Sequence, residues 1–235
     1  EVPVRVEYAP TEDCRRLLMA GGRWDPEQLL SDYRQRELRD FLPAETAQAV
    51  QQARQALAET GNGQECDLVL DGTCFRELTR LADAVDCPAL TDYLRTRIDG
   101  VNLCSAVRAH RLRKGPDFLH RVLLEGGSVP PAALEEAAPA DLRELYAATP
   151  LREAAGLAEG ICAGGGSMTA LEKQCDNAVL RLAAKARRTP FGVETALGYL
   201  IAAEAELTAV RTIMTGRRAG LSADAIRERL RDLYV

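Results

Sequence analysis

Long amphipathic segments bounded by Gly and Pro restrict the fold of this sequence more than any other feature. One segment runs from Pro88 to about Lys114 with apolar residues spaced by four, four and three, and Gly115-Pro116 follows it. Another runs from Val193 to about Thr215. Such spacings place side chains on one face of an α-helix, and Gly and Pro end helices. We therefore predict two long helices. The apolar face of the second carries Ala196, Leu200, Ala203, Leu207, Val210 and Met214.

Shorter segments carry the same signals. We predict helices at Ala44–Thr60, at Gln64–Val85 and from Met168 to about Arg188, and a last helix capped by Ser222. Between them, Pro-rich turns divide a run of short helices. These turns contain Pro130, Pro131, Pro139 and Pro150.

Composition supports a helical chain and limits its partners. The sequence contains 37 Ala and 27 Arg, whereas aromatic residues make up only 5%. Ala, Leu, Arg and Glu favour helices, and sheets need the β-branched and aromatic residues that are scarce here. An all-β fold is therefore disfavoured. The net charge of −5 argues against an obligate nucleic-acid binder, which needs a basic excess on one face.

The apolar runs, the first residues and the cysteines indicate the compartment of the protein, which we expect to be aqueous and reducing. No apolar run approaches the roughly 18 to 20 residues that span a bilayer. The first residues, Glu1-Val-Pro-Val-Arg, do not read as a signal peptide, and we expect Glu1 to be a processing boundary. The seven cysteines form no C-x-x-C pair, so we expect small apolar core residues in a cytoplasmic protein rather than disulfides or a zinc site.

One pattern of helix, Gly-marked turn and short amphipathic helix occurs three times. Val107-Arg108 lies near the end of one long helix and Val210-Arg211 near the end of the other, and each is followed by a basic turn and a short helix. Cys14 to Ala20, followed by Gly21-Gly22 and Pro26, is a weaker copy. The copies begin roughly 90 to 100 residues apart, which is longer than TPR or HEAT units. We therefore predict small repeated domains rather than a solenoid.

No set of residues points to catalysis or to a cofactor. His110 lies among basic residues at a helix end, where a solvated or capping role is expected, and His120 has no nucleophile in a recognisable setting. Gly164 to Ser167 precede a helix but lack the Gly-Lys-Ser/Thr ending of a phosphate loop, so a flexible linker is expected there. We assign no catalytic residue, no cofactor and no metal ligand.

Basic helix ends are the most plausible interaction features. A charge run is usually a solvated helix end. The alternative is a polar protein interface, for which Arg is better suited than Lys because it pairs with carboxylates in a fork. The candidate interface residues are Arg108, Arg111, Arg113, Lys114, Arg217 and Arg218.

Acidic and amide residues interrupt the apolar faces of both long helices. Asp99 and Asn102 are three residues apart and share a face, whereas Glu204 and Glu206 are two apart and do not. Such groups either satisfy one another between repeats or line a polar cavity, and the sequence leaves both possibilities open.

A series of short segments appears in a fixed order along the chain. Leu68 to Phe75 and Asp99 to Leu103 lie in its middle portion. They are followed by Ser167 to Asn177, Pro190 to Glu194, Gly198 to Leu200, Glu204 to Leu207, Val210-Arg211 and the ending from Gly220 to Val235. In order and spacing these segments resemble the C subunit of the V-type (A-type) ATP synthase and the related d subunit of the vacuolar proton pump. The resemblance covers residues 40 to 235 and is strongest from residue 167 onward. The positions that carry it include Asp99, Asn102, Phe191, Glu194, Glu204, Glu206 and Arg211.

The resemblance implies an all-α fold of three homologous helical domains in a pseudo-threefold funnel. Residues 1–62 would be a truncated first domain, 63–156 the second and 157–235 the third. Family members often have Lys and Asn where Ala203 and Ala209 stand here, so the resemblance does not carry over any specific polar contact made by the last long helix.

The resemblance also implies a non-catalytic socket between the central stalk and the membrane proteolipid ring. Such a subunit would transmit torque for ATP-coupled proton or sodium ion transport, peripheral to the membrane on its cytoplasmic side. Its partners would be the stalk subunits and the proteolipid ring, with no nucleic acid and no direct membrane span.

Two other functions remain open. One is a free-standing all-α scaffold that binds proteins through its Arg-rich helix ends. The other is an enzyme that uses the loop from Gly164 to Ser167, which predicts phosphate or nucleotide binding.

Overall fold

In the part of the chain that the structure describes, helices form where apolar periodicity and helix-ending residues coincide in the sequence. The computed structural model describes residues 25–35, 42–186, 188–189 and 191–232. Within these ranges the backbone consists of α-helices joined by turns, which confirms the all-α prediction. The copy of the repeat at Cys14 to Gly22 lies outside the described residues. The helices are α1 Pro26–Gln35, α2 Ala44–Thr60, α3 Gly63–Val85, α4 Pro88–Arg111, α5 Pro116–Val122, α6 Pro131–Glu136, α7 Leu142–Leu145, α8 Arg152–Ala155, α9 Ala158–Cys162, α10 Met168–Ala186, α11 Val193–Arg218 and α12 Ala223–Arg229.

Several helix boundaries follow signals that are visible in the sequence. Pro88 takes the first position of α4, where its missing N–H has no partner to lose. At α12, the Ser222 hydroxyl oxygen accepts a hydrogen bond from the backbone N–H of Ala225 at 3.2 Å. Gly61, with a φ of 62°, ends α2 in the left-handed conformation that glycine adopts at low cost.

The two long helices end a few residues away from their predicted ends. We predicted that α4 would continue to about Lys114, but Arg113 adopts a left-handed φ of 53° and the Lys114 N–H bonds back to the Ala109 carbonyl. The same closure ends α11 beyond the predicted Thr215. There Gly220 is left-handed and the Leu221 N–H bonds to the Gly216 carbonyl.

The chain divides into two compact units, one ending at Glu77 and the other beginning at Leu78. In the first unit, α1, α2 and the N-terminal part of α3 pack around a small core. Tyr33 lies in this core, and the Arg54 guanidinium donates to the Tyr33 carbonyl at 2.9 Å and covers its ring at 4.2 Å. The other buried residues of this core are Ala49, Val50, Ala53, Cys66 and Leu70.

The second unit is built around α4. This helix packs against α5, α9, α10 and α11, and its side chains Leu103 and Val107 are buried at the centre of the core. A smaller core lies between α10 and α11 and contains Val179, Leu180 and Ile201. The three domains with boundaries at residues 62 and 156 stay a prediction.

The cysteines within the described ranges vary in burial. Cys66, Cys87, Cys104 and Cys175 are buried among apolar side chains, as expected for small core residues, whereas Cys74 is exposed. Among the described helices, none combines the length with the apolar composition that a bilayer span requires.

Candidate protein-interaction surfaces

Asp99 and Asn102 on α4 fix the loop that follows α5. The Asn102 amide donates to the Leu124 carbonyl and accepts from the Leu124 N–H, both at 2.8 Å. Asp99 Oδ1 accepts from the backbone N–H groups of Ser128 at 2.9 Å and Val129 at 3.2 Å. Both side chains are completely buried. They therefore satisfy the backbone of a loop within the second unit, which is neither of the two roles that the sequence left open.

The second carboxylate oxygen of Asp99 is not hydrogen-bonded in this way. Its Oδ2 is buried without a hydrogen-bond partner. Burial raises the pKa of the Asp99 carboxyl above its usual value, although the hydrogen bonds from Val129 and Ser128 oppose the rise. A Cβ at position 127 would collide with Oδ1, so Gly127 is required for the close approach of this loop.

The basic end of α4 is mostly exposed to solvent. Arg108 pairs with Glu172 of α10, whereas Arg111 and Arg113 are exposed. The Lys114 ammonium lies 5.7 Å from the centre of the Phe118 ring. Arg217 and Arg218 are exposed at the C-terminal end of α11. The exposed cations other than Arg108 are available to an acidic partner, and the role of all six basic residues as an interface stays a prediction.

One face of α11 is apolar and open to solvent. We call this face the α11 seam and define it by Val193, Ala196, Leu200, Ala203, Leu207, Val210 and Met214. Leu200 and Leu207 are 63% and 66% exposed, and Met214 is 61% exposed. The residues repeat at spacings of three and four, which is the pattern of a helix that packs against another helix. The sequence predicted the face but could not show that it lacks a covering element within the described chain.

A cleft of about 640 Å³ lies beside α11. Asp176 of α10 lies in it and accepts from Arg231 Nε at 2.8 Å, with Arg97 3.8 Å away. Glu204 and Glu206 both line the cleft, although they are two residues apart. The cleft can reach both because it borders a wide arc of the helix. Burial raises the pKa of the Tyr93 hydroxyl, which also lines the cleft; nearby Arg97 opposes this rise and Glu204 adds to it.

The remaining family-motif positions are not gathered into one site. Phe191 is 89% exposed at the turn before α11, and Arg211 is exposed on that helix. Glu194 is half-buried and lines a smaller cavity between α4, α10 and α11.

Neither histidine lies in a catalytic arrangement. His120 Nδ1 lies 3.0 Å from the Glu135 carboxylate in an exposed pair. His110 lies in the last turn of α4 and is half-buried, with its Nε2 shielded and without a hydrogen-bond partner. Of the two expected roles, a solvated group or a helix cap, it is therefore not the solvated group, and the capping role stays a prediction. Across the described ranges, no group of three or more His, Cys, Asp or Glu side chains is placed to hold a metal ion.

The loop from Gly164 to Ser167 is closed by its own hydrogen bonds. The Gly165 N–H donates to the Gly160 carbonyl at 2.8 Å, and the Gly164 N–H donates to the Ile161 carbonyl at 3.0 Å. These backbone donors would be needed to cradle a phosphate. The loop is therefore a tight hydrogen-bonded turn and not the flexible linker that was predicted.

Sequence reasoning missed two residues that organise these surfaces. Asn177 is buried and its Oδ1 accepts from the Asp232 N–H at 2.9 Å, which holds the segment after α12. It lies at the end of the Ser167 to Asn177 segment, so its position in that motif was a usable signal. Glu172 lies in the same segment, but its pairing with Arg108 could not be read from the sequence because the two residues are 64 positions apart.

Comparison with known proteins gives one consistent result. The family model described as ATP synthase (C/AC39) subunit matches residues 15–229. Two curated relatives, each named as the C subunit of a V-type ATP synthase, come from two strains of Thermus thermophilus. Each is 31% identical over 170 residues, which is 71% of this chain and 48% of the relative. The chain thus spans about half the length of the curated relatives it matches.

Proposed function

Because this chain belongs to the ATP synthase (C/AC39) subunit family, we propose that it is a non-catalytic structural subunit of a V-type (A-type) rotary ATPase. It links the central stalk to the membrane proteolipid ring and transmits torque for ATP-coupled transport of protons or sodium ions. The observation that carries this proposal is the family match across residues 15–229.

The surfaces of the second unit support a role in assembly. A subunit that transmits torque needs stiff elements and contact surfaces. Stiffness is available from the long helices α4 and α11, and buried polar residues hold the segments packed beside them: Asp99 and Asn102 hold the loop after α5, and Asn177 holds the segment after α12. Contact surfaces are available at the exposed α11 seam and at the arginines that end both helices. Large exposed apolar surfaces on soluble domains usually mark interaction sites.

The finer parts of the proposal follow from family membership. The three repeat domains, at residues 1–62, 63–156 and 157–235, would form a funnel that faces the ring. The chain would work peripheral to the membrane on the cytoplasmic side, and catalysis would reside in other subunits. The six basic residues at the ends of α4 and α11 are the proposed contact points.

Affinity purification from cells that contain an intact V-type ATPase tests this function. A tagged form of the chain, produced at native level and purified in mild detergent, should carry stalk subunits and proteolipids with it. Replacing Arg217 and Arg218 by Glu should lower their recovery several-fold, because charge reversal repels an acidic partner. Replacing the exposed Arg143 and Arg152 by Glu is the matched control. This change should leave the recovery of stalk subunits and proteolipids unaltered.

A free-standing scaffold is the competing function. It predicts that the tagged chain recovers neither stalk subunits nor proteolipids while the holoenzyme is intact in the same extract. That result would exclude the rotary ATPase role. Saturable nucleotide binding by the isolated chain would instead favour an enzyme that uses the loop from Gly164 to Ser167.

A further inference from the structure

Two cysteines of the second unit face each other between α4 and α10. Cys104 lies on α4 and Cys175 lies on α10, and both belong to the apolar core in which these helices pack. Their thiols share a hydrogen bond. The two sulfur atoms are therefore already neighbours in the reduced chain.

The backbones of α4 and α10 come close at this point. A Cβ at Gly100 would lie 3.4 Å from the Cys175 Cβ and 3.9 Å from its Sγ. Gly100 and Cys104 are four residues apart, so they share the face of α4 that meets α10. A disulfide needs its two Cβ atoms about 3.5–4.5 Å apart, a separation that only closely packed helices reach. The glycine thus allows the approach that a bond between Cys104 and Cys175 requires.

Charges make the two thiols unequal. Arg108 follows Cys104 by one turn of α4, whereas Glu172 and Asp176 flank Cys175 on α10. The hydrogen bond from Cys175 lowers the pKa of the Cys104 thiol; burial opposes this effect and Arg108 adds to it. The same hydrogen bond raises the pKa of the Cys175 thiol, and burial raises it further. Since the thiolate is the reactive form, Cys104 is the sulfur that reacts first.

Limited access restricts the oxidant that this pair can meet. Cys104 and Cys175 are each 7% exposed, which leaves room for a small molecule only. The thiols of Cys66 and Cys162 donate instead to backbone carbonyls. Where cells keep thiols reduced, the disulfides that do form are usually transient and act in catalysis or redox sensing. A reversible bond is therefore the kind that suits this pair.

We propose that Cys104 and Cys175 are a redox switch, which hydrogen peroxide closes to a disulfide between α4 and α10. The Cys104 thiolate attacks one peroxide oxygen, the O–O bond breaks, and a sulfenic acid and a water molecule form. The Cys175 sulfur then attacks the Cys104 sulfur, the S–O bond breaks and a second water leaves. The two thiols lose two electrons in total, the peroxide is reduced to water, and both thiol protons end in the two water molecules.

The disulfide closes the long loop between Cys104 and Cys175. It thereby restricts the unfolded chain, which stabilises the folded second unit. Oxidation locks α10 onto α4 without a change of fold, and a small thiol reductant releases it. The inference stands on this pair of helices and does not require the rotary ATPase.

Peptide mapping of the full chain tests the bond directly. The chain is reduced, exposed to hydrogen peroxide while folded, alkylated and digested with trypsin. Trypsin places the two cysteines in the peptides Ile98–Arg108 and Gln174–Arg181, neither of which contains another cysteine. Mass spectrometry should find the two peptides linked, two hydrogens lighter than their sum. Dithiothreitol should separate them, and non-reducing electrophoresis should show that the linked chain is a monomer.

Substitutions of single cysteines test the assignment of roles. Cys104→Ala and Cys175→Ala should each abolish the linked species, whereas the matched control Cys162→Ala should keep it. Dimedone traps sulfenic acids. It should label Cys104 in the Cys175→Ala variant several-fold more than Cys175 in the Cys104→Ala variant, because Cys104 reacts first.

Thermal unfolding followed by circular dichroism measures the lock. The oxidised chain should melt at least about 5 °C above the reduced chain, as expected for a disulfide that closes a long loop. The difference should vanish in Cys104→Ala and Cys175→Ala and persist in Cys162→Ala. The same spectra establish that each reduced variant is folded.

Three results would overturn the inference. The folded chain yields no link between the two peptides after peroxide treatment, or Cys104 is linked to a different cysteine. In the third, the oxidised chain melts at or below the temperature of the reduced chain. None of these experiments contains an ATPase component, so this inference and the proposed function can fail independently.

Discussion

Single buried polar residues decide how the loops of the second unit are held. Asn102 uses both ends of its amide on the backbone of Leu124, and both partners are buried. A buried backbone group that loses its partner costs about 1–3 kcal/mol, so one side chain accounts for two such groups here. The order of the loop after α5 therefore depends on α4.

Replacing Asn102 by Ala should destabilise the second unit by about 2–4 kcal/mol. The Leu124 N–H and carbonyl would both be left buried and unpaired. Urea denaturation followed by circular dichroism measures the change. Gln174→Ala, at a half-buried helical position, is the control and should cost less than about 1 kcal/mol. Equal losses in both variants would contradict the role assigned to Asn102.

Asp99 should make folding stability depend on pH. Burial raises its pKa in the folded state above the unfolded value of about 3.9. Between these two pKa values the folded chain holds a proton that the unfolded chain releases, so stability falls as pH rises through this window. Asp99→Asn removes this ionisation and keeps an oxygen for the Ser128 and Val129 N–H groups.

Denaturation at pH 4, 5, 6 and 7 separates Asp99 from the other carboxylates. The stability of the Asp99→Asn variant relative to the unaltered chain should rise across this series. A difference that is constant with pH, or that moves in favour of Asp99 as pH rises, would show that burial does not dominate its ionisation.

At the scale of elements, close contact between α11 and α12 depends on the absence of a side chain at Gly216. A Cβ there would lie 2.7 Å from Ile226 Cγ1 and 3.1 Å from its Cδ1. Ile226 is the buried residue that joins α12 to α11. The contact explains a glycine inside a helix, where it otherwise costs about 1 kcal/mol relative to Ala.

Gly216→Ala should therefore destabilise the second unit by about 1–3 kcal/mol, which is typical of overpacking. In an Ile226→Ala background the same substitution should be neutral or stabilising, because the obstructing side chain is gone. Thermal unfolding of the four variants in this cycle gives the coupling between the two positions. A coupling near zero would mean that α12 does not pack on Gly216.

Helix existence was predictable, because it depends on local spacing and on Gly and Pro. The ends of α4 and α11 were less predictable, because they are set by the left-handed residues Arg113 and Gly220 and by the hydrogen bonds that the following N–H groups make. Periodicity does not encode these features. The partners of Asp99 and Asn102 lie 22 to 30 residues away, and Glu172 lies 64 from Arg108. Such pairings are set by the packing of helices. For the same reason, the stripe from Val193 to Met214 revealed an apolar face but not whether that face is covered.

For the whole molecule, the family match and the exposed surfaces are both consistent with the role in assembly that we propose. The chain matches the ATP synthase (C/AC39) subunit family over residues 15–229, and it carries an uncovered apolar seam and exposed arginines at the ends of α4 and α11. Burying the seam against a partner would also remove an exposed patch of the kind that promotes aggregation. The chain should therefore be less soluble alone than in its complex.

Salt should affect the two kinds of surface differently. Contacts made by Arg217 and Arg218 should weaken as ionic strength rises, because exposed charges are screened within about 10 Å at 0.1 M salt. Contacts made by Leu207 in the seam should persist. Recovery of partner subunits at 0.05 M and 0.5 M salt, with the unaltered chain and the Leu207→Glu variant, tests the distinction. The variant should lose more of its remaining partners at high salt than the unaltered chain does.

The proposed role of this chain is to join the stalk of a V-type ATPase to its proteolipid ring. Photo-crosslinking within the purified holoenzyme tests this role most directly, with the photoreactive group placed at Leu112, Leu207 or Arg217 and the products identified by mass spectrometry. We expect the chain to be retained in the holoenzyme, and we expect these positions together to crosslink to both stalk subunits and proteolipids. The proposed role would be contradicted if the holoenzyme is intact without the chain. It would also be contradicted if the three positions crosslink to neither the stalk subunits nor the proteolipids.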